Sequence, residues 1–178
     1  MKKLYAPLIA LGAFLLCVAA AAAGPVPIWD NQITSPSRFK VLNEFGGAAV
    51  LDKETGLVWE QAPSTSDFSW FNAHVHCNLL SAGARLGWRL PTVQELASLV
   101  DPSVPAPGPT LPSGHPFSNV QSDGPLDRYW SATTDALDPS FAWVVGFRSA
   151  SVTNGIPKIA AGFQFAWCVR AGQGVEAQ

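Results

Sequence analysis

His74, His76 and Cys77 stand within four residues of one another, and imidazole nitrogen and thiolate sulfur are the donors that zinc prefers. The stretch around them reads as a helix. Positions i and i+2 of a helix point to nearly opposite sides, so the two imidazoles do not close on one ion, and the set is short of ligands. Rim histidines and no metal are the expectation. A second group is acidic: Asp123, Asp127, Asp135 and Asp138 flank the strand-like "RYWSATT". Calcium needs several converging oxygens, and these four could supply some of them. Solvated loop carboxylates are the plainer reading, so no cofactor is expected and calcium is the one candidate. Nucleophilic catalysis has little to rest on. Ser113 and His115 lie close together, but there is no G-x-S-x-G elbow and no H-E-x-x-H motif. Nothing selects a pair of carboxylates for glycoside hydrolysis.

Recognition is better served than catalysis. Trp70, Trp130 and Trp143 could each pack a ring face on sugar C–H groups, but all three occupy periodic, inward-looking positions, which favours the core. Arg89 lies between Trp88 and Leu90 and reads as a buried fork on backbone carbonyls or a carboxylate. Arg128 stands at the exit of a long loop and is the better ligand contact. The expected ligand surface is therefore Asn119, Asp123, Asp127, Arg128 and Arg148.

Behind these residues is an order of elements. "AAVLD", the turn "KETG" and "LVWE" make a hairpin signal, with Asp52 placed to accept backbone hydrogen bonds across the turn. "SWFNAHVHCNLL" predicts a helix capped by Ser69 and ending at Gly83, with Trp70, Ala73, Cys77 and Leu80 on its inner stripe. "WRLPTVQELASLVD" predicts a short extended piece and then a second helix that stops at Asp101-Pro102. Thr92 and Glu95 form a capping box, and Val93, Leu96, Leu99 and Val100 form the buried stripe. Residues 102–126 are a long Pro-rich loop, the kind that is functional or disordered, with Phe117 and Val120 able to pin it. "RYWSATT", "FAWVVGF" and "FQFAWCVR" are three closing strands. In the last, Cys168 is out of register with Phe163, Phe165 and Trp167, which requires either a bulge or two covered faces.

The chain of 178 residues has one-domain length. Its start carries Lys2 and Lys3, an apolar run from Leu8, and Ala21 and Ala23 in A-x-A register before Gly24. That pattern predicts a signal peptide over residues 1–23, too short for a stable span, with no stable membrane span after cleavage. Lipidation at Cys17 is disfavoured by Leu16 before it. An extended lead-in over residues 24–37, a domain over 38–170 and a flexible tail over 171–178 complete the division. Removing Lys2 and Lys3 leaves nine basic and thirteen acidic residues, so the mature chain is acidic and nucleic acid is not an expected partner. Two cysteines remain, Cys77 and Cys168. In an exported chain they read as one disulfide, with two free buried thiols as the alternative.

The pieces "VLDKETGLVWE", "SWFNAHVHCNLL", "GWRLPTVQELASLVD", "RYWSATT", "AWVVGF" and "AWCVR", in that order, resemble the family named for the C-terminal domain of the Legionella collagen-like adhesin, from about Phe39 to Arg170. The resemblance implies an α+β, C-type-lectin-like fold: two helices around a small twisted antiparallel sheet with a long loop region. It implies an exported, secreted or periplasmic, non-enzymatic binding or adhesion module for a glycan or an envelope or surface protein. It also implies a disulfide from Cys77 on the first helix to Cys168 on the last strand. The family's final motif usually has Arg where Ala166 or Trp167 stands here, so a charged contact is missing. The sulfated polysaccharides bound by the adhesin member suit an acidic chain poorly. The alternatives are a carboxylate hydrolase at the long-loop cleft and a structural envelope subunit without a small ligand.

Overall fold

A computed structural model describes residues 37–160, 162 and 164–170, all within the compact unit Gln32–Gln178. The expected signal peptide, nearly all of the lead-in, Phe163 and the tail lie outside the described residues. The architecture is mixed α+β, with two helices and two four-stranded sheets. The first sheet has strand order β1-β2-β3-β8, from Phe39–Val41, Ala49–Asp52, Val58–Glu60 and Val169–Arg170, all antiparallel. The second has order β6-β5-β4-β7, from Ser151–Pro157, Phe141–Gly146, Arg128–Thr134 and Gln164–Phe165. A single small antiparallel sheet is thus corrected to two sheets, and β4 pairs with β7 in parallel.

The hairpin β2–β3 forms as its residues dictate. Asp52 Oδ1 accepts the Glu54 N–H at 3.1 Å and Oδ2 accepts the Thr55 hydroxyl at 2.9 Å, closing the turn. Arg38 completes this corner by donating to both Asp52 oxygens, at 2.9 and 2.8 Å, and to the Ser98 carbonyl at 2.8 Å.

Helix α1 spans Trp70–Leu79, capped by Ser69, whose hydroxyl accepts the Asn72 N–H. It buries Ala73 and Cys77 and leaves Phe71, Val75 and Leu79 exposed on its outer face. The helix ends four residues before the expected Gly83, and a short 3-10 turn over Ala82–Ala84 follows. Gly83 sits there at φ 60°, and a Cβ on it would lie 2.5 Å from the Phe45 Cα, so close approach to the Phe45 backbone requires glycine. Helix α2 spans only Val93–Ala97, ending before the expected Asp101. Its capping box is present: Thr92 Oγ1 accepts the Glu95 N–H at 3.2 Å, and Glu95 Oε2 accepts the Thr92 N–H at 2.8 Å.

Residues adjacent in sequence serve different cores. One core gathers Val50, Trp59, Leu96, Leu99, Tyr129, Val145 and Phe147, and the other gathers Ala49, Val58, Ala73, Cys77, Trp88, Trp130 and Val144. From 165 to 169 the alternation is strict. Phe165, Trp167 and Val169 enter the first core, and Ala166 and Cys168 enter the second. "FQFAWCVR" is therefore not one strand: it pairs with β4 at one end and β3 at the other, crossing between the sheets. Both of its faces are covered, which accounts for the register of Cys168. The disulfide Cys77–Cys168, with a Cα–Cα distance of 5.3 Å, ties α1 to this crossing segment.

Candidate functional site

The long loop begins after α2 and is fastened along its length. The Asp101 N–H donates to the Thr110 carbonyl at 2.9 Å. The Thr110 N–H and hydroxyl both donate to the Phe147 carbonyl, at 2.7 and 2.8 Å, and the Gly108 N–H donates to the Arg148 carbonyl at 2.8 Å. Only glycine fits at 108, because a Cβ there would lie 2.0 Å from the Phe147 carbonyl oxygen. Leu111 and Phe117 are buried in the first core, so neither offers an exposed apolar patch. Further along, the Gln121 N–H donates to the Tyr129 hydroxyl at 2.6 Å, and burial pushes that phenol well above its usual range. A loop whose polar backbone is satisfied this way is a built surface.

Four of the five expected ligand residues lie together at the loop's exit. Arg148 donates to the Asp123 carbonyl and, at 3.5 Å, to the Ser122 carbonyl. Asp127 accepts the Gly124 N–H at 2.7 Å, so its carboxylate closes a local turn. Asp123 is exposed. The half-buried Arg128 guanidinium has no hydrogen-bond or ion-pair partner among the described residues. Gly146 brings β5 close to it: a Cβ there would lie 3.7 Å from the Arg128 Cγ. Asn119 is exposed at φ 59°, and its carbonyl accepts the Gln121 side-chain amide at 2.9 Å.

The carboxylates do not converge on a cation. Asp135 accepts the Leu137 N–H at 2.9 Å and the Asn154 side-chain amide at 2.8 Å, and Asp138 caps Ser140. Among the described residues, Asp123, Asp127, Asp135 and Asp138 form no group of three or more metal donors.

The tryptophans separate. Trp130 is wholly buried and donates its indole N–H to the Phe68 carbonyl at 2.8 Å. Trp70 is half-buried, with Lys158 Nζ 4.1 Å above its ring and the His74 ring edge-on at 4.2 Å. Trp143 is half-buried against the first core. Arg89 makes the fork read from its neighbours, on Glu95 at 2.8 and 2.6 Å, and this holds the Glu95 carboxyl below its ordinary range. The fork is partly open to solvent, with the Arg89 side chain 42 % exposed.

One cluster escapes sequence reasoning. Glu60, at the end of β3, is buried, and burial pushes its carboxyl up to about 7. His76, on the opposite side of α1 from the Trp70–Lys158 contact of His74, faces it, and Cys168 lies beside both. Glu60 follows the apolar Leu57, Val58 and Trp59 and precedes Gln61, an order that gives no sign of which distant groups enclose it.

The described residues contain no helix long and apolar enough to cross a membrane. The family model described as the Lcl C-terminal domain matches residues 48–170, which takes in every strand but β1 and both helices. No curated protein matches the chain.

Proposed function

The chain belongs to the Lcl C-terminal domain family, and on that premise we propose that it is a secreted or periplasmic, non-enzymatic binding module. Its ligand is a glycan or an envelope or surface protein, and its fold is of the C-type-lectin-like kind. The carrying observation is the fastened loop over residues 102–126, at whose exit stand Asp123, Arg148 and Arg128, the last without a hydrogen-bond or ion-pair partner among the described residues. Polar groups fixed on a rigid support bind with little ordering cost. The disulfide supports an oxidising, extracytoplasmic compartment. A hydrolase at the same loop is less well supported. The carboxyl tuned most like a general acid, Glu60, is buried against the disulfide, and the loop's Asp127 is engaged in its own turn.

A glycan array with and without calcium, run beside a pull-down from envelope extract, tests this reading. Binding to a glycan class or to one envelope protein, abolished by Arg128→Ala with Asp123→Ala, is the expected result. Binding unchanged by that double substitution would overturn the loop exit as the contact surface. Turnover of a bound glycan, lost in the same variant, would favour the hydrolase.

A further inference from the structure

Three elements converge on the sulfur bridge. The end of β3 brings Glu60, the last turns of α1 bring His76 and Cys77, and the crossing segment brings Cys168. One carboxylate oxygen of Glu60, one imidazole nitrogen of His76 and the Cys168 Sγ all lie within 4.8 Å of one another. The Cys77 Sγ is bonded to the last of these and stands outside the group of three, so it joins them as a fourth donor only by turning toward them once the bond is broken. Two of the donors are poorly used. His76 Nε2 is buried with no hydrogen-bond partner. Among the described residues, the Glu60 carboxylate accepts only the long 3.4 Å bond from the Cys168 N–H, and no hydrogen bond or ion pair joins it to His76. A buried nitrogen and a buried carboxylate left this way ordinarily have a partner.

We infer that these four side chains form a tetrahedral site for a zinc-class divalent cation when the disulfide is reduced. Two thiolates, one imidazole and one carboxylate are donors that zinc takes, and four of them close its coordination shell. The bonded sulfurs are weak ligands, so bridge and metal are alternative cross-links of the same three elements. The interconversion balances. A phosphine reductant with one water delivers two electrons and two protons to the sulfur–sulfur bond, giving two thiols and a phosphine oxide. The cation then displaces both thiol protons into solvent as the two metal–sulfur bonds form. The histidine pair read from sequence misses this site because His74 turns to Trp70, and the remaining donors come from β3 and the crossing segment.

Cobalt(II) is the probe. The purified chain, reduced by a phosphine without metal, is expected to take one cobalt per chain, with a thiolate charge-transfer band and the intense visible bands of a tetrahedral ion. Zinc should bleach both. Zinc should also raise the melting temperature of the reduced chain and leave that of the oxidised chain unchanged. His76→Ala and Glu60→Gln, each shown to keep the disulfide-bonded fold by circular dichroism, should weaken zinc binding. Losing a direct ligand costs at least as much as losing a ligand's supporting partner, about tenfold. Absence of the charge-transfer band would overturn the inference. So would zinc lowering the melting temperature, which marks thiols captured in the unfolded chain. So would undiminished zinc affinity in both variants.

Discussion

Glu60 sets the pH response of the disulfide-bonded fold. Its carboxyl is pushed up to about 7 by burial, while in the unfolded chain it titrates near 4.5. Between those values the folded state keeps a proton that the unfolded state has released. Stability from this group is full below the lower value, falls as pH rises, and levels off above the upper one. Each pH unit separating the two titrations corresponds to about 1.4 kcal/mol, so the whole fall is about 3 kcal/mol. Glu60→Gln should melt higher than the parent at pH 8 and equally at pH 4, as followed by thermal denaturation in a buffer series. His74, His76 and His115 oppose this, because burial holds each below its ordinary range. The unfolded chain protonates them first, so their contribution is present above the unfolded value and is lost as pH falls from there through the lower folded values. With Glu60 replaced, that opposite slope should emerge, joined at lower pH by the one from Glu95, whose carboxyl is also held below its ordinary range. Sequence reveals Asp52, whose turn partners are two and three residues away. It does not reveal Glu60, whose neighbour Cys168 is 108 positions distant.

Helix α2 has only five residues and owes its start to local chemistry. Thr92→Ala removes the acceptor for the Glu95 N–H and should cost about 1 kcal/mol in urea denaturation. Arg89→Ala removes the fork on Glu95, but with the guanidinium partly solvated the loss should stay within about 1 kcal/mol. A larger loss for Arg89 than for Thr92 would mean that the fork, and not the box, holds the corner. Elements governed by local bonds of this kind are legible from residue order: the hairpin, the cap of α1 and the box of α2 all form as expected. Strand β6 is not, because it lies at a sheet edge, is mostly exposed, and carries Gly155 at φ 84°, so no apolar period marks it. The two closing strands within "FQFAWCVR" are concealed for the opposite reason, since burial on both faces removes the polar alternation by which a strand end is read.

Across the whole molecule, the bridge closes a loop of 91 residues. Tying a loop of that length restricts the unfolded chain by about 4–5 kcal/mol in the chain-entropy picture. Chemical denaturation with and without reductant, in the presence of a chelator, should show a loss of that order, and Cys77→Ser should match the reduced protein. Equal stability in both states would mean that the two cores suffice alone. The candidate surface is legible in its residues, since Asp123, Asp127, Arg128 and Arg148 are drawn to one loop exit. Asn119 stands in the same loop at a left-handed turn that the sequence does not announce, since φ near 59° is uncommon for a residue other than glycine.

The crossing segment also fixes the timing of assembly. Residues 164–170 supply a strand to each sheet, side chains to each core and one sulfur of the bridge, and they are the last described residues to be synthesised. Until they arrive, neither sheet has all four strands and Cys77 has no partner. Completion of both sheets, both cores and the bridge therefore waits on one stretch of seven residues, and a substitution there is felt on both sides of the molecule at once.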